Sequence, residues 1–232
     1  MVNPLYTVEK ECPICQDTFM VTKVRSRLTM VSQDSDFCTY YQEVNPNYYA
    51  VWVCPHCGYA GQEAYFNDLS VTAKDKLRKF LAGKQVNVNF SGERTAKQAI
   101  ATYKLAIYYA EVVGLPASRL GGLYLKLAWI YREAGCEEEE QAALSKAREN
   151  YEQVFFKERF PVGNLTELTL EYLVGDLFRR TGQYDQALLY LGKVISNPHA
   201  KAERRILELA RESWYQAKEA KKQLNKHDDQ PQ

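Results

Sequence analysis

The chain has 232 residues, of which 46% are hydrophobic and 25% charged, and its formal net charge is +1. These values exclude bulk disorder and the strong charge excess of a protein that coats a polyanion. No apolar run nears the roughly 20 residues needed to span a bilayer, and residues Met1 to Lys10 hold no basic stretch followed by an apolar one. A soluble, cytoplasmic protein without a membrane partner is therefore expected.

The first chemical signal is Cys12-Pro13-Ile14-Cys15, and its counterpart, Cys54-Pro55-His56-Cys57-Gly58, follows after 38 intervening residues. Two pairs of soft sulfur ligands, each pair spaced by three positions, suit a tetrahedral four-thiolate site for zinc, with iron as the alternative. Gly58 supplies the positive φ that the residue after such a turn often requires. Four cysteines fill a tetrahedron and leave no place for water, so the expected zinc is structural, with no catalytic residue. Between the pairs, Thr18 to Met30 and Tyr48 to Val53 are rich in β-formers, and residues 1–66 are predicted to be a small β-rich, zinc-ribbon-like module. A module of this size buries too little surface to stand alone, which makes the metal its staple.

The segment from Asp34 to Tyr41 is the most unusual in composition. Nine aromatic residues fall between Phe37 and Phe66, and Cys38 sits among acids and tyrosines. Cys38, Asp36, Tyr40 and Tyr41 form a candidate recognition or thiol site. The plainer alternative makes the aromatics the module's core and its docking face on the helices, with Cys38 a small buried apolar residue. Residues 1–66 carry four Lys/Arg and seven Asp/Glu, a balance of 4 − 7 = −3, which disfavours nucleic acid as a partner. Lys23, Arg25 and Arg27 alternate onto one face of a predicted strand and are the module's basic strip.

Beyond residue 66 helical periods take over. A short helix starting at Ser70 or Thr72 and a polar linker, Lys84 to Asn89, occupy residues 67–92. Ser91 is the expected cap of a long helix from about Glu93 to Val113, ended by Gly114, and Pro116 opens the next, which ends at Gly135. Glu137 to Glu140 suit the positive end of the helix that follows, before Pro161 and Gly163 break the chain. Ala200 to Lys226 is a long, partly basic helix that would cap the array, and residues 227–232 are expected to fray.

Within this region Gly175, Phe178, Gly182, Tyr184 and Ala187 fall at the offsets of a tetratricopeptide repeat, and Ala128, Tyr131 and Gly135 echo the first three at an offset of 47. The segment resembles that family, which implies a helical array over residues 93–226 whose groove holds a protein or peptide ligand. Tyr124, Lys126, Arg179 and Arg180 are the candidate groove residues. The order of a CPIC knuckle, a DSDFC segment, an NPNYYAVWVCPHCGYA block and a helical tail resembles the bacterial domain-of-unknown-function family 2225 over nearly the full length. That resemblance implies a bacterial protein and supplies no activity. The fold class expected is mainly α with a small β-rich module. The expected function is a non-enzymatic adaptor or scaffold. The alternatives are a thiol or electron-transfer protein, on the similarity of the knuckles to those of rubredoxin, and a nucleic-acid-binding ribbon.

Overall fold

The computed structural model describes residues 3–84, Val86 and 88–228. Among the described residues, six short strands form three separate antiparallel hairpins: β1 (Leu5–Glu11) with β2 (Thr18–Val24), β3 (Met30–Gln33) with β4 (Thr39–Tyr41), and β5 (Val51–Val53) with β6 (Ala60–Gln62). The first register runs from Leu5 opposite Val24 to Glu11 opposite Thr18, and the third from Val51 opposite Gln62 to Val53 opposite Ala60. Alternation along β2 buries Phe19 and Val21 and leaves Met20 exposed. The β-rich stretch expected from Thr18 to Met30 is split, because β2 stops at Val24 and β3 starts at Met30. Of the basic strip, only Lys23 lies on that strand.

Seven α-helices follow among the described residues: α1 (Val71–Leu81), α2 (Ala96–Val113), α3 (Ala117–Glu133), α4 (Glu137–Lys157), α5 (Glu167–Arg180), α6 (Tyr184–Ser196) and α7 (Arg204–Asp228). Ser70 caps α1 by accepting from the Ala73 N–H. The expected cap at Ser91 is replaced by Thr95, four residues on, which forms a reciprocal capping box with Gln98; Ser91 instead donates to Asn89. Gly114, at φ 71°, ends α2 in the left-handed region. The tail expected to fray at 227–232 begins inside α7, and residues 229–232 lie outside the described residues, as do Gln85 and Asn87 of the predicted linker.

Consecutive helices pack on one another, α3 on α4, α5 on α6, and α6 on α7. Two glycines let backbones approach. A Cβ added at Gly121 would lie 2.8 Å from the Tyr151 ring, and one at Gly175 would lie 2.8 Å from Leu191 Cγ and 3.2 Å from its backbone nitrogen. One core runs through both halves of the chain. Phe66 packs against the rings of Phe19, Trp52 and Tyr59, and Tyr59 packs against Tyr109 of α2. Arg94, buried and without a carboxylate partner among the described residues, ties the halves by donating to the carbonyls of Tyr48, Val51 and Phe90 at 2.8–2.9 Å. Burial lowers its pKa to about 10.

Gly175→Ala is expected to cost about 1–3 kcal/mol, because the added methyl meets backbone as well as a side chain and the α5–α6 pair must part. Urea denaturation of the two proteins, compared at equal m-value, measures it.

Candidate metal centre and a filled arginine face

The two Cys-x-x-Cys segments are the turns of β1–β2 and β5–β6, and the local geometry repeats. In the first, the Cys12 N–H donates to Asp17 O and the Gln16 N–H to Cys12 O; in the second, the Cys54 N–H donates to Tyr59 O and the Gly58 N–H to Cys54 O. The residue after each second cysteine has positive φ, 68° at Gln16 and 78° at Gly58. Gln16 thus adopts the conformation for which glycine is the relaxed choice, on an exposed turn where its side chain points into solvent.

Between the turns, the sulfurs of Cys12 and Cys57, and those of Cys15 and Cys54, approach to 3.6 Å. All four lie within 4.8 Å of one another. A disulfide needs about 2.05 Å, and all six cysteines are free. A tetrahedron with metal–sulfur bonds of about 2.3 Å has edges of about 3.8 Å, so the cluster has the spacing to hold a metal ion. Backbone N–H groups of Ile14 and Cys15 face the Cys12 sulfur, and those of His56 and Cys57 face Cys54. The hydrogen bond to Cys54, with burial, raises Cys12; burial raises Cys15 to about 12; and the hydrogen bond to Cys12 raises Cys57. The hydrogen bonds from Cys12 and Cys57 lower Cys54 to about 2. Thiol ligands bind a cation as thiolates, so metal uptake by this set would release protons and weaken at low pH.

The candidate recognition segment is not a free surface. The hairpin β3–β4 leaves the four-cysteine module and sets its turn, Asp34 to Cys38, against α3 and α5, while Gln33 of β3 meets Arg205 of α7. Asp36 is fully buried; its Oδ2 accepts from Arg132 Nη2 at 2.7 Å and Trp129 Nε1 at 3.1 Å, and its Oδ1 from the Cys38 N–H. Arg132 also reaches Asp34 and, through Nε, Glu140 at 2.6 Å. Burial opposes the charged form of Asp36, yet the Arg132 hydrogen bonds and the charges of Arg180 and Arg132 outweigh it and hold the carboxyl below its usual range. Ser35 donates to Asp176 at 2.7 Å and accepts from Arg179 and Arg180 at 3.0 Å, while Tyr172 donates to the Ser35 carbonyl. Asp176, also fully buried, takes a further hydrogen bond from Ser213 of α7.

Cys38 is buried, and burial pushes its thiol up to about 12, the opposite of the depressed value that marks a reactive cysteine. It is the small buried residue of the plainer reading. Tyr40 donates to Asp34, and Tyr41 lies opposite Met30 in the hairpin. The four candidate groove residues do not share a face. Tyr124 donates to Glu111 of α2, whereas Lys126 faces Gln62 and Tyr65 on the other side of α3. Two positions along a helix turn by about 200°, so they point apart. Arg179 and Arg180 are already engaged by Ser35 and Asp176. Of the basic strip, Lys23 pairs with Glu63 at 2.7 Å, and Arg25 lies over the Tyr6 ring.

Sequence reasoning missed Arg132, Trp129, Asp176 and Ser213. A signal was present for Asp176: it interrupts Leu173-Val174-Gly175 and Leu177-Phe178 on an apolar helix, where a charge needs a partner.

A module of two hairpins whose turns carry four cysteines that can hold one ion, joined to a run of helices, thus defines the class. The chain belongs to the family described as "Uncharacterized protein conserved in bacteria (DUF2225)", whose model matches residues 5–217. It is also 28% identical over 153 residues to an "Uncharacterized protein" of Borreliella burgdorferi, covering 57% of this chain and 55% of the other. The chain thus spans about half the length of that relative. No solved structure matches. Among the described residues no helix is long and apolar enough to cross a membrane.

Two outcomes are expected. Cys12→Ser or Cys54→Ser is expected to abolish stoichiometric metal binding and lower the thermal midpoint, with chelator reproducing the shift in the parent; calorimetry with metal analysis checks both. Asp36→Ala leaves the half-buried Arg132 partly unpaired and is expected to cost about 3 kcal/mol. Because the folded carboxyl is depressed, its contribution is present above the unfolded value of about 3.9 and lost as pH falls through the folded one. The variant should therefore flatten the acid limb of the stability–pH curve measured by denaturation.

Proposed function

We propose that this protein is a non-enzymatic, cytoplasmic adaptor in which a structural zinc ion fixes the N-terminal hairpins and the helical array binds a protein partner. The zinc assignment is supported by the closed set of four sulfurs, with Cys12 and Cys54 fully buried and no further ligand position in the tetrahedron. Reduced thiol ligands suit a cytoplasmic setting.

The observation that carries the adaptor reading is an open groove of about 340 Å³ across α2, α3 and α4. Ile107, Tyr108, Tyr124, Leu127 and Ala143 line it, and Lys104, Glu111, Glu139 and Lys146 stand around them. Tyr108 is 47% exposed there and is held by its packing on Phe80. A rigid aromatic over an apolar floor with charges at its border suits the apolar face of an amphipathic helix. The arginine face of α3 and α5, the side on which the tetratricopeptide resemblance suggests a ligand, is filled by the chain's own Asp34–Phe37 turn. The partner therefore uses the Tyr108 groove.

Benzoylphenylalanine placed at position 108 of the full chain, irradiated in living cells, tests this. One discrete protein adduct is expected, absent when the photo-probe stands at exposed Lys97 and weakened by Tyr124→Ala. No adduct from position 108, or the same adducts from position 97, would contradict the proposal.

A further inference from the structure

A second cleft, of about 560 Å³, lies where the four-cysteine module meets the array. Gln62 and Tyr65 border it from the module, Lys126 and Tyr151 from α3 and α4, and Gly163 and Asn164 from the loop before α5. Its volume is that of a small-molecule site.

The floor is kept open by glycine. A Cβ built at Gly122, one turn before Lys126 on the same helix face, would lie 3.7 Å from the Tyr151 hydroxyl and 3.8 Å from Gln62 Nε2. Those two donors therefore converge on one point in the cleft. Gly163, at φ 59°, brings its backbone to the opposite wall, where an added Cβ would lie 3.4 Å from the Tyr65 hydroxyl. Among the described residues, Lys126 Nζ and the Tyr65 and Tyr151 hydroxyls make no hydrogen bond or ion pair.

The nearby carboxylates are committed elsewhere. Glu158 accepts from the Ser118 N–H at 2.8 Å and from its hydroxyl at 2.5 Å. Asp68 is held by Arg119, whose guanidinium lies over the Tyr65 ring, and Glu63 is paired with Lys23. A lysine half-buried in a protein wall without a counter-ion is costly, and burial lowers its pKa, with Glu63 only partly opposing the shift. Lys126, Tyr65, Tyr151 and Gln62 bring donors to the cleft, and the one carboxylate among its lining residues, Glu158, is engaged by Ser118.

We propose that this cleft binds a small oxyanion ligand, with Lys126 as counter-ion and Tyr151, Gln62 and Tyr65 as neutral donors. The anionic group sits over Gly122, and the remaining volume takes the body of the ligand against the tyrosine rings. Phosphate and carboxylate share this chemistry, and the experiment separates them.

The probes are inorganic phosphate and citrate, each added to full-length, metal-loaded protein while acetylation of individual lysines is followed by mass spectrometry. At ten times the dissociation constant, modification of Lys126 should slow about tenfold while exposed Lys97 is unaffected. Protection by phosphate alone assigns a phosphorylated ligand, and protection by citrate alone assigns a carboxylate. Lys126→Met removes the anion-dependent rise in thermal midpoint. Gly122→Leu is the second variant: it raises helix propensity, keeps Lys126 and fills the floor, and should abolish protection without loss of metal. Failure of both anions to protect Lys126 at concentrations of about 10 mM, or undiminished protection in Gly122→Leu, would overturn the proposal.

Discussion

The approach of four sulfurs across two hairpin turns is the contact on which the N-terminal half depends. Neither hairpin has a core of its own: β5 and β6 are three residues each, and an isolated two-stranded hairpin is marginal in water. Bringing Cys12 and Cys15 against Cys54 and Cys57 fixes the angle between the hairpins, and with it the position of Phe19, Trp52 and Phe66 over α2. Three of the four thiols are held above the ordinary range by burial and by one another. The cluster can hold a cation, and a bound cation would let all four sulfurs ionise in so small a space.

The second constraint is electrostatic and lies at the far end of the molecule. Asp36 and Asp176 are both fully buried, and each is satisfied by arginines that the other hairpin or helix also uses. Such a network adds little net stability compared with an apolar contact, yet it punishes any displacement, because parting the groups strands charges in a dry place. Its effect here is registry: the β3–β4 turn can sit on α3 and α5 in one way only. The helical array is thus held from within along the face where an external ligand was expected, while the Tyr108 groove and the Lys126 cleft stay open.

Local signals made much of this legible. The knuckles, the caps at Ser70 and Gly114 and the helix periods each depend on residues close together in sequence, and they correspond to β-hairpin turns and to α1 to α7. The small residue at Gly175 marked a real close approach. What escaped was non-local. Nothing near Asp36 in the sequence shows that Arg132, 96 residues on, will neutralise it, and the segment's acids and aromatics left a recognition surface and a docking face on the helices both open. The placing of Tyr124 and Lys126 in one groove failed for a simpler reason: residues two apart on a helix face opposite ways, and the assignment overlooked that rotation. Thr95 displaced Ser91 as a cap because Gln98 stands three residues beyond it to complete the box.

The central claim is that the four cysteines hold one structural metal ion. Metal analysis of untagged protein by mass spectrometry, with an absorbance spectrum of the same sample, tests it most directly. The account predicts about one zinc per chain and no visible absorbance. One iron with thiolate charge-transfer bands would replace the structural reading with an electron-transfer one, and protein that is folded and free of metal would contradict the claim outright.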